Sequence, residues 1–211
     1  MDARAWDERY AAADLVWSAT PNQFVAEEVA ALPAGRALDL AAGEGRNAIW
    51  MAARGWQVVA VDFSRVGIEK GRALEQRQRS ASGPGRVDWV VADALSHDPG
   101  PERFDLALVA YLQLVADERR TAVRRAFGAL RVGGTLLVVA HDSTNLTEGT
   151  GGPQDPAVLY TAEEVLADLD GERFDVERAE RVTRAVGATD DHRGEESRVA
   201  YDCLVRLVRT A

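Results

Sequence analysis

The sequence predicts an α/β fold, a doubly wound and largely parallel sheet, and three observations carry that prediction. Short β-branched runs alternate with helical patterns along most of the chain. The first of these runs stops at a carboxylate and turns through two glycines into a helix, in Leu38-Asp39-Leu40-Ala41-Ala42-Gly43-Glu44-Gly45. At the far end the alternation stops: 174–186 and 199–208 read as two strands joined by a polar loop, a terminal antiparallel hairpin.

Taken in order, the elements begin with a helical piece at 6–13. Thr20 and Gln23 form a capping-box pattern with Pro21 at the first helical position, and Val25, Val29 and Leu32 supply the apolar face that follows. Strands are expected at 37–41, 57–62, 87–92, 104–110 and 135–140, each followed by a turn or loop and a helix, for six or seven strands in all. The helix after strand four begins near Asp117, spaces Val123, Phe127 and Leu130 on one face, and ends at Gly133-Gly134. Another starts at Thr161, boxed by Glu164. No repeat and no long linker divides the chain, so 1–211 reads as a single domain: N-terminal helices over 1–32, then the core over 37–211.

Composition narrows the function. A formal charge of −9 without a Lys/Arg stripe repels a phosphate backbone, so nucleic acid is not an expected partner. No apolar run is long enough to span a bilayer and Met1-Asp2-Ala3-Arg4 is not a signal peptide's start, which together predict a soluble, cytoplasmic protein. Cys203 is the only cysteine and is expected to pack as a small hydrophobe in the last strand. His97, His141 and His192 are scattered without ligand spacing, so no metal site is expected.

In an open α/β sheet ligands sit beyond the carboxyl ends of the strands. Gly43 permits the tight turn and Gly45 lets a ligand approach the main chain at the head of the next helix. Asp62, about twenty residues further on, ends strand two where an acidic side chain takes ribose hydroxyls. Asp93 ends strand three, where its carboxylate suits an adenine amino group and the Ala94 amide a ring nitrogen. Each has a plainer reading: Asp62 caps the helix near Ser64, and Asp93 begins a turn. Their succession at consecutive strand ends favours an adenosine ligand. Asp39 suits a cationic amino or sulfonium group better than a diphosphate, which favours S-adenosylmethionine over NAD.

Residues 38–47, Val61-Asp62-Phe63-Ser64, Ala92-Asp93-Ala94 and Phe104-Asp105-Leu106-Ala107-Leu108 together resemble the successive motifs of the class I S-adenosylmethionine-dependent methyltransferases. The resemblance implies a Rossmann-like sheet of seven strands in the order 3-2-1-4-5-7-6, with strand seven antiparallel. It implies cofactor contacts at Ala41 and Gly43 for the methionine end, Asp62 and Phe63 for ribose and adenine, Asp93 and Ala94 for adenine, and Ala110 beyond strand four, with Asp39 as the acidic residue of the first motif. Ala41 stands where the family often has a further glycine, and its added methyl is expected to do little harm. The N-terminal segment is expected to close over the cofactor as a lid containing Trp17.

Methyl transfer asks the protein to align a nucleophile and, where needed, to remove a proton. In the terminal loop, His192 is a candidate base, and Arg193 and Arg198 candidate anchors for an anionic substrate. That segment resembles tellurite-resistance-type methyltransferases, with a spacing two residues shorter; a charged loop paired with solvent is the plainer reading. His141 is a second candidate base and Tyr111 a wall of the substrate pocket. The expected reaction is methyl transfer to a small thiol, chalcogen oxyanion or hydroxyl, leaving S-adenosylhomocysteine. An NAD-binding oxidoreductase and a non-enzymatic S-adenosylmethionine sensor are the alternatives, and the oligomeric state is left open.

Overall fold

The fold is described from a computed structural model, over residues 2–78, 84–186 and 198–211. Seven strands form one sheet in the order β3-β2-β1-β4-β5-β7-β6, as the resemblance implied. They are β1 (Arg36–Leu40), β2 (Gln57–Asp62), β3 (Arg86–Val91), β4 (Phe104–Ala110), β5 (Leu130–His141), β6 (Phe174–Val186) and β7 (Arg198–Arg209). The β1–β5 pairings are parallel, whereas β7 runs antiparallel to both β5 and β6.

Helices cover both faces because alternate residues of the central strands are apolar on both. Leu38, Leu40, Ala107, Val109, Leu136 and Val138 pack beneath α5 (Ala116–Gly128) and α7 (Ala162–Asp168). On the other face Ala37, Ala60, Leu106, Leu108 and Leu137 meet α2 (Gln23–Val29) and α3 (Arg46–Ala53). The other α-helices among the described residues are α1 (Ala3–Ala11), α4 (Arg65–Gln78) and the short α6 (Asn145–Glu148). Cys203 is buried in β7, as expected.

Several local readings change. The cap of α2 is Asn22, whose side chain accepts from the Phe24 and Val25 amides, and not Thr20. Asn22 wins because its own amide is fixed by Asn47 Oδ1 at 2.9 Å, a contact from α3. Thr161 and Glu164 do form the capping box that starts α7. α5 ends at Gly128, and Gly133-Gly134 lies within β5, because Leu130 already pairs with Phe104. No helix follows β3; residues 92–103 reach β4 as turns and loop, opened by an Asp93 turn.

Candidate functional site

At the carboxyl edge, the chain leaves β1 through Ala41, Gly43 and Gly45, which have φ values of 63°, 58° and 77°. That left-handed conformation is free to glycine and costs alanine about 1 kcal/mol, so Ala41 carries backbone strain as well as an added methyl. The Gly43 amide donates to Asp62 Oδ2 at 2.8 Å, and the Ser64 amide donates to Asp62 Oδ1 at 2.8 Å. Asp62 therefore does help to start α4, its plainer reading, and also ties the glycine loop to β2, which the sequence did not suggest. The Ser64 hydroxyl completes the helix start by accepting from the Gly67 amide at 3.0 Å.

The glycines have packing reasons that differ from the expected one. A Cβ on Gly45 would lie 2.1 Å from the Trp89 indole, which also fills the space beside Gly71. Trp89 is held in turn by Glu75, its Nε1 donating to Oε2 at 2.9 Å. Room for a ligand is thus not what Gly45's missing side chain provides. A Cβ on Gly43 would meet the Tyr10 hydroxyl at 2.7 Å, with Trp17 Nε1 at 3.7 Å.

Asp39 lies at the root of this loop with 1% exposure, and its Oδ2 has no hydrogen-bond partner among the described residues. Burial, with Asp62 nearby, pushes its carboxyl up to about 7, against the opposing pull of Arg46 and the Ala48 amide. An unpartnered buried carboxylate oxygen fits a ligand's cationic amino group, which would supply the missing charge and donor. Of the residues expected to contact adenosine, Phe63 and Ala110 are half-buried, Ala94 is buried and Asp93 is exposed. Asp93 Oδ1 accepts from the Leu95 amide at 2.8 Å, so the turn reading of that residue is realised.

The N-terminal segment lies against the loop. Glu44, 2% exposed, accepts from the Val16 and Trp17 amides at 3.0 and 3.1 Å and pairs with Lys70 Nζ at 2.8 Å. Lys70 also donates to the carbonyls of Tyr10 and Ala13. Trp17 is partly exposed, donates to the Tyr10 hydroxyl at 3.3 Å, and lies beneath the guanidinium groups of Arg9 and Arg46.

On the other side of β4 a second polar cluster gathers. Tyr111, at a φ of 58°, leaves β4 and donates its hydroxyl to Asp202 Oδ2 at 2.8 Å. Arg184 Nε, on β6, donates to the same oxygen at 2.8 Å, and Asn22 Nδ2 donates to the Tyr111 hydroxyl at 3.2 Å. His141 Nδ1 lies 3.3 Å from Asp202 Oδ1. Those two atoms are off the line of a good hydrogen bond, and neither has another partner among the described residues. The nearby His141 ring, the Arg184 guanidinium and the Tyr111 hydroxyl nonetheless hold the Asp202 carboxyl below its ordinary value despite burial.

Tyr111 and His141 lie together, their ring centroids 4.9 Å apart, whereas His192 and Arg193 lie outside the described residues. Arg198 begins β7, exposed, opposite Val186. Sequence reasoning missed Asn22, Glu44, Arg184 and Asp202. Asp202 alone left a signal, as a carboxylate inside the apolar run Val199–Val205.

Residues 37–134 match the methyltransferase domain family. Among relatives, demethylmenaquinone methyltransferase of Clavibacter sepedonicus is 34% identical over 125 residues, covering 59% of this chain and 47% of that protein. The tRNA 5-carboxymethoxyuridine methyltransferase of Escherichia coli K12 is 32% identical over 112 residues, covering 53% and 42%. The chain spans about half the length of the curated relatives it matches. Its fold is similar to that of the N-methyltransferase NodS from Bradyrhizobium japonicum WM9, solved with S-adenosyl-L-homocysteine: TM-score 0.71, 18% identity, covering 100% of both chains. TehB from Haemophilus influenzae has a similar fold, with a TM-score of 0.68 at 16% identity, covering 90% of this chain and 63% of that one. Residues 37–134 are therefore similar to a methyltransferase domain, on a fold shared with solved S-adenosylmethionine-dependent methyltransferases.

Proposed function

We propose that this protein transfers a methyl group from S-adenosylmethionine to a small-molecule nucleophile. The observation that carries this reading is Asp39: a buried carboxylate with one unpartnered oxygen, at the root of a loop tied to Asp62 through the Gly43 amide. When bound, the cofactor supplies an activated methyl on a sulfonium, so the chain has only to hold the donor and orient an acceptor. Asp39 would take the amino group of the methionine end, beside the backbone of Ala41, Gly43 and Gly45. Asp62 and Phe63 would face the ribose and adenine, with Asp93, Ala94 and Ala110 along the adenine. Residues 1–32 would act as a lid, with Trp17 above the glycine loop and Glu44 as its fastening.

The acceptor would sit beside Tyr111 and His141, at the polar cluster beyond β4 and β5. One relative methylates tRNA by name, yet the charge of −9 on this chain favours a small acceptor over a phosphate backbone. His192, Arg193 and Arg198 stay candidates for contacting it from the β6–β7 loop.

Calorimetry with S-adenosylhomocysteine and NAD, followed by turnover on a panel of thiols, phenols and oxyanions, tests the proposal. S-adenosylhomocysteine should bind and NAD should not. Release of S-adenosylhomocysteine from S-adenosylmethionine should depend on an acceptor; binding without such release on any acceptor would mean a sensor.

A further inference from the structure

Resting on the methyl-transfer reading above, we propose that His141 and Asp202 form an oriented base pair that deprotonates the acceptor. The acceptor class is then a hydroxyl or thiol compound that arrives with its proton, not a preformed oxyanion.

The argument starts from Asp202, which is fully buried in the middle of β7 and is the direct register partner of His141 on β5. A buried carboxylate is costly unless its oxygens are hydrogen-bonded or face a charge or donor. Oδ2 receives the Tyr111 hydroxyl and Arg184 Nε, both at 2.8 Å, which leaves Oδ1 facing His141 Nδ1 at 3.3 Å. The imidazole is confined on several sides. Its ring centroid is 4.9 Å from that of Tyr111, and a Cβ on Gly152, at a φ of 78°, would come within 3.0 Å of Nδ1. Its backbone amide donates to Gln113 Oε1 at 2.9 Å. Yet 14% of the His141 side chain stays exposed, whereas none of Asp202 does.

A neutral imidazole that turns Nδ1–H toward a carboxylate carries its free lone pair on Nε2. The other titratable and charged groups around the ring fix this assignment. Tyr111, from the end of β4, is itself a donor to Asp202, and burial pushes its hydroxyl above the ordinary phenol range, so it is not the base. Arg184, from β6, balances the Asp202 charge. Asp142, next in the chain, is turned away, its Oδ1 accepting the amide and hydroxyl of Thr144. Arg46, from α3, lies near both Tyr111 and Arg184 and adds positive charge on the cofactor side.

In the step itself the acceptor oxygen or sulfur attacks the methyl carbon as its proton passes to His141 Nε2. The carbon–sulfonium bond breaks with its electron pair remaining on sulfur, giving the thioether S-adenosylhomocysteine. The imidazolium, steadied by Asp202, then releases the proton to water. Asp202 touches no reacting atom and is a positioning residue.

The test is the pH profile of kcat/KM for wild type, His141→Gln and Asp202→Asn, on phenols or thiols of high and low acidity, with S-adenosylhomocysteine affinity measured alongside. Expected for His141→Gln is a loss of about 100-fold or more on weakly acidic acceptors near neutral pH, restored in part by added imidazole with His141→Gly. Acceptors already ionised at the assay pH should lose only a few-fold, and cofactor affinity should not move. Asp202→Asn should shift the acidic limb of the profile to lower pH, because the imidazolium loses its counter-charge. Equal losses on ionised and protonated acceptors, or an unchanged profile in His141→Gln, would overturn the base. Wild-type turnover confined to oxyanions would overturn it too while leaving methyl transfer standing, whereas no turnover on any acceptor would remove methyl transfer itself.

Discussion

Around the glycine loop, carboxylates are held by backbone amides: Asp62 by Gly43 and Ser64, Glu44 by Val16 and Trp17, Asp93 by Leu95. Across β4 the arrangement is reversed, and Asp202 is held by the side chains of Tyr111 and Arg184, with His141 alongside. The difference teaches how each half is specified. An amide is present at every residue, so the first half depends on chain direction and on glycine at the right places. The second half needs particular side chains delivered by four separate elements. Each half leaves one buried carboxylate oxygen without a hydrogen bond among the described residues, Asp39 Oδ2 in the first and Asp202 Oδ1 in the second, but only Asp202 Oδ1 faces an imidazole nitrogen, His141 Nδ1 at 3.3 Å.

The largest expected effect breaks the first half by steric means. Gly45→Ala places a methyl against Trp89, which Glu75 prevents from yielding, at a φ that alanine resists. Thermal unfolding should register a loss of about 4 kcal/mol, with S-adenosylhomocysteine affinity falling alongside. Retention of wild-type stability would mean that Trp89 does not lock the loop.

Asp39 sharpens the comparison through pH. Its folded-state value of about 7 lies above the ordinary 3.8, so the native protein holds this proton more tightly than the unfolded chain does. Stability without ligand should therefore fall as pH rises from about 4 to 7, by on the order of 4 kcal/mol, and Asp39→Asn should flatten that slope. Ligand affinity should run the other way, weakening as pH drops below 7 and protonates the carboxylate that meets the amino group. Calorimetry across that range checks both. In contrast, Asp202→Asn should leave S-adenosylhomocysteine binding untouched.

Glu44→Gln removes the charge opposite Lys70 at the base of the N-terminal segment. A loss of about 2 kcal/mol is expected, together with faster proteolysis before Thr20. Unchanged cleavage would separate the fastening from Glu44. The smallest effect is a gain: Ala41→Gly relieves the positive φ and should add up to about 1 kcal/mol in thermal unfolding, less what glycine loses in the unfolded chain.

Much of the fold was legible because its signals are local. The runs at 57–62 and 104–110 coincide with β2 and β4, and the Thr161–Glu164 box starts α7 where expected. Legibility failed where a distant contact overrode a local signal. Gly133-Gly134 looks like a helix end, but pairing of Leu130 with Phe104 had already begun the strand. Thr20 looks like a cap, but Asn47 fixes Asn22 in that role. In the candidate site, Asp39, Asp62 and the glycines could be found by position at strand ends, whereas the reasons for Gly45 and Asp62 belong to Trp89 and to the loop they brace.

By itself the sequence determined the alternating elements, the glycine turn after β1, the acidic strand ends and the antiparallel hairpin, since each follows from period, turn chemistry and spacing along the chain. Only the tertiary structure decided which polar side chains share a site. Asn22, Tyr111, His141, Arg184 and Asp202 meet because the β3-β2-β1-β4-β5-β7-β6 order sets β7 between β5 and β6. Strand order and antiparallel register are settled by packing across the whole sheet, and no local stretch of chain contains that information.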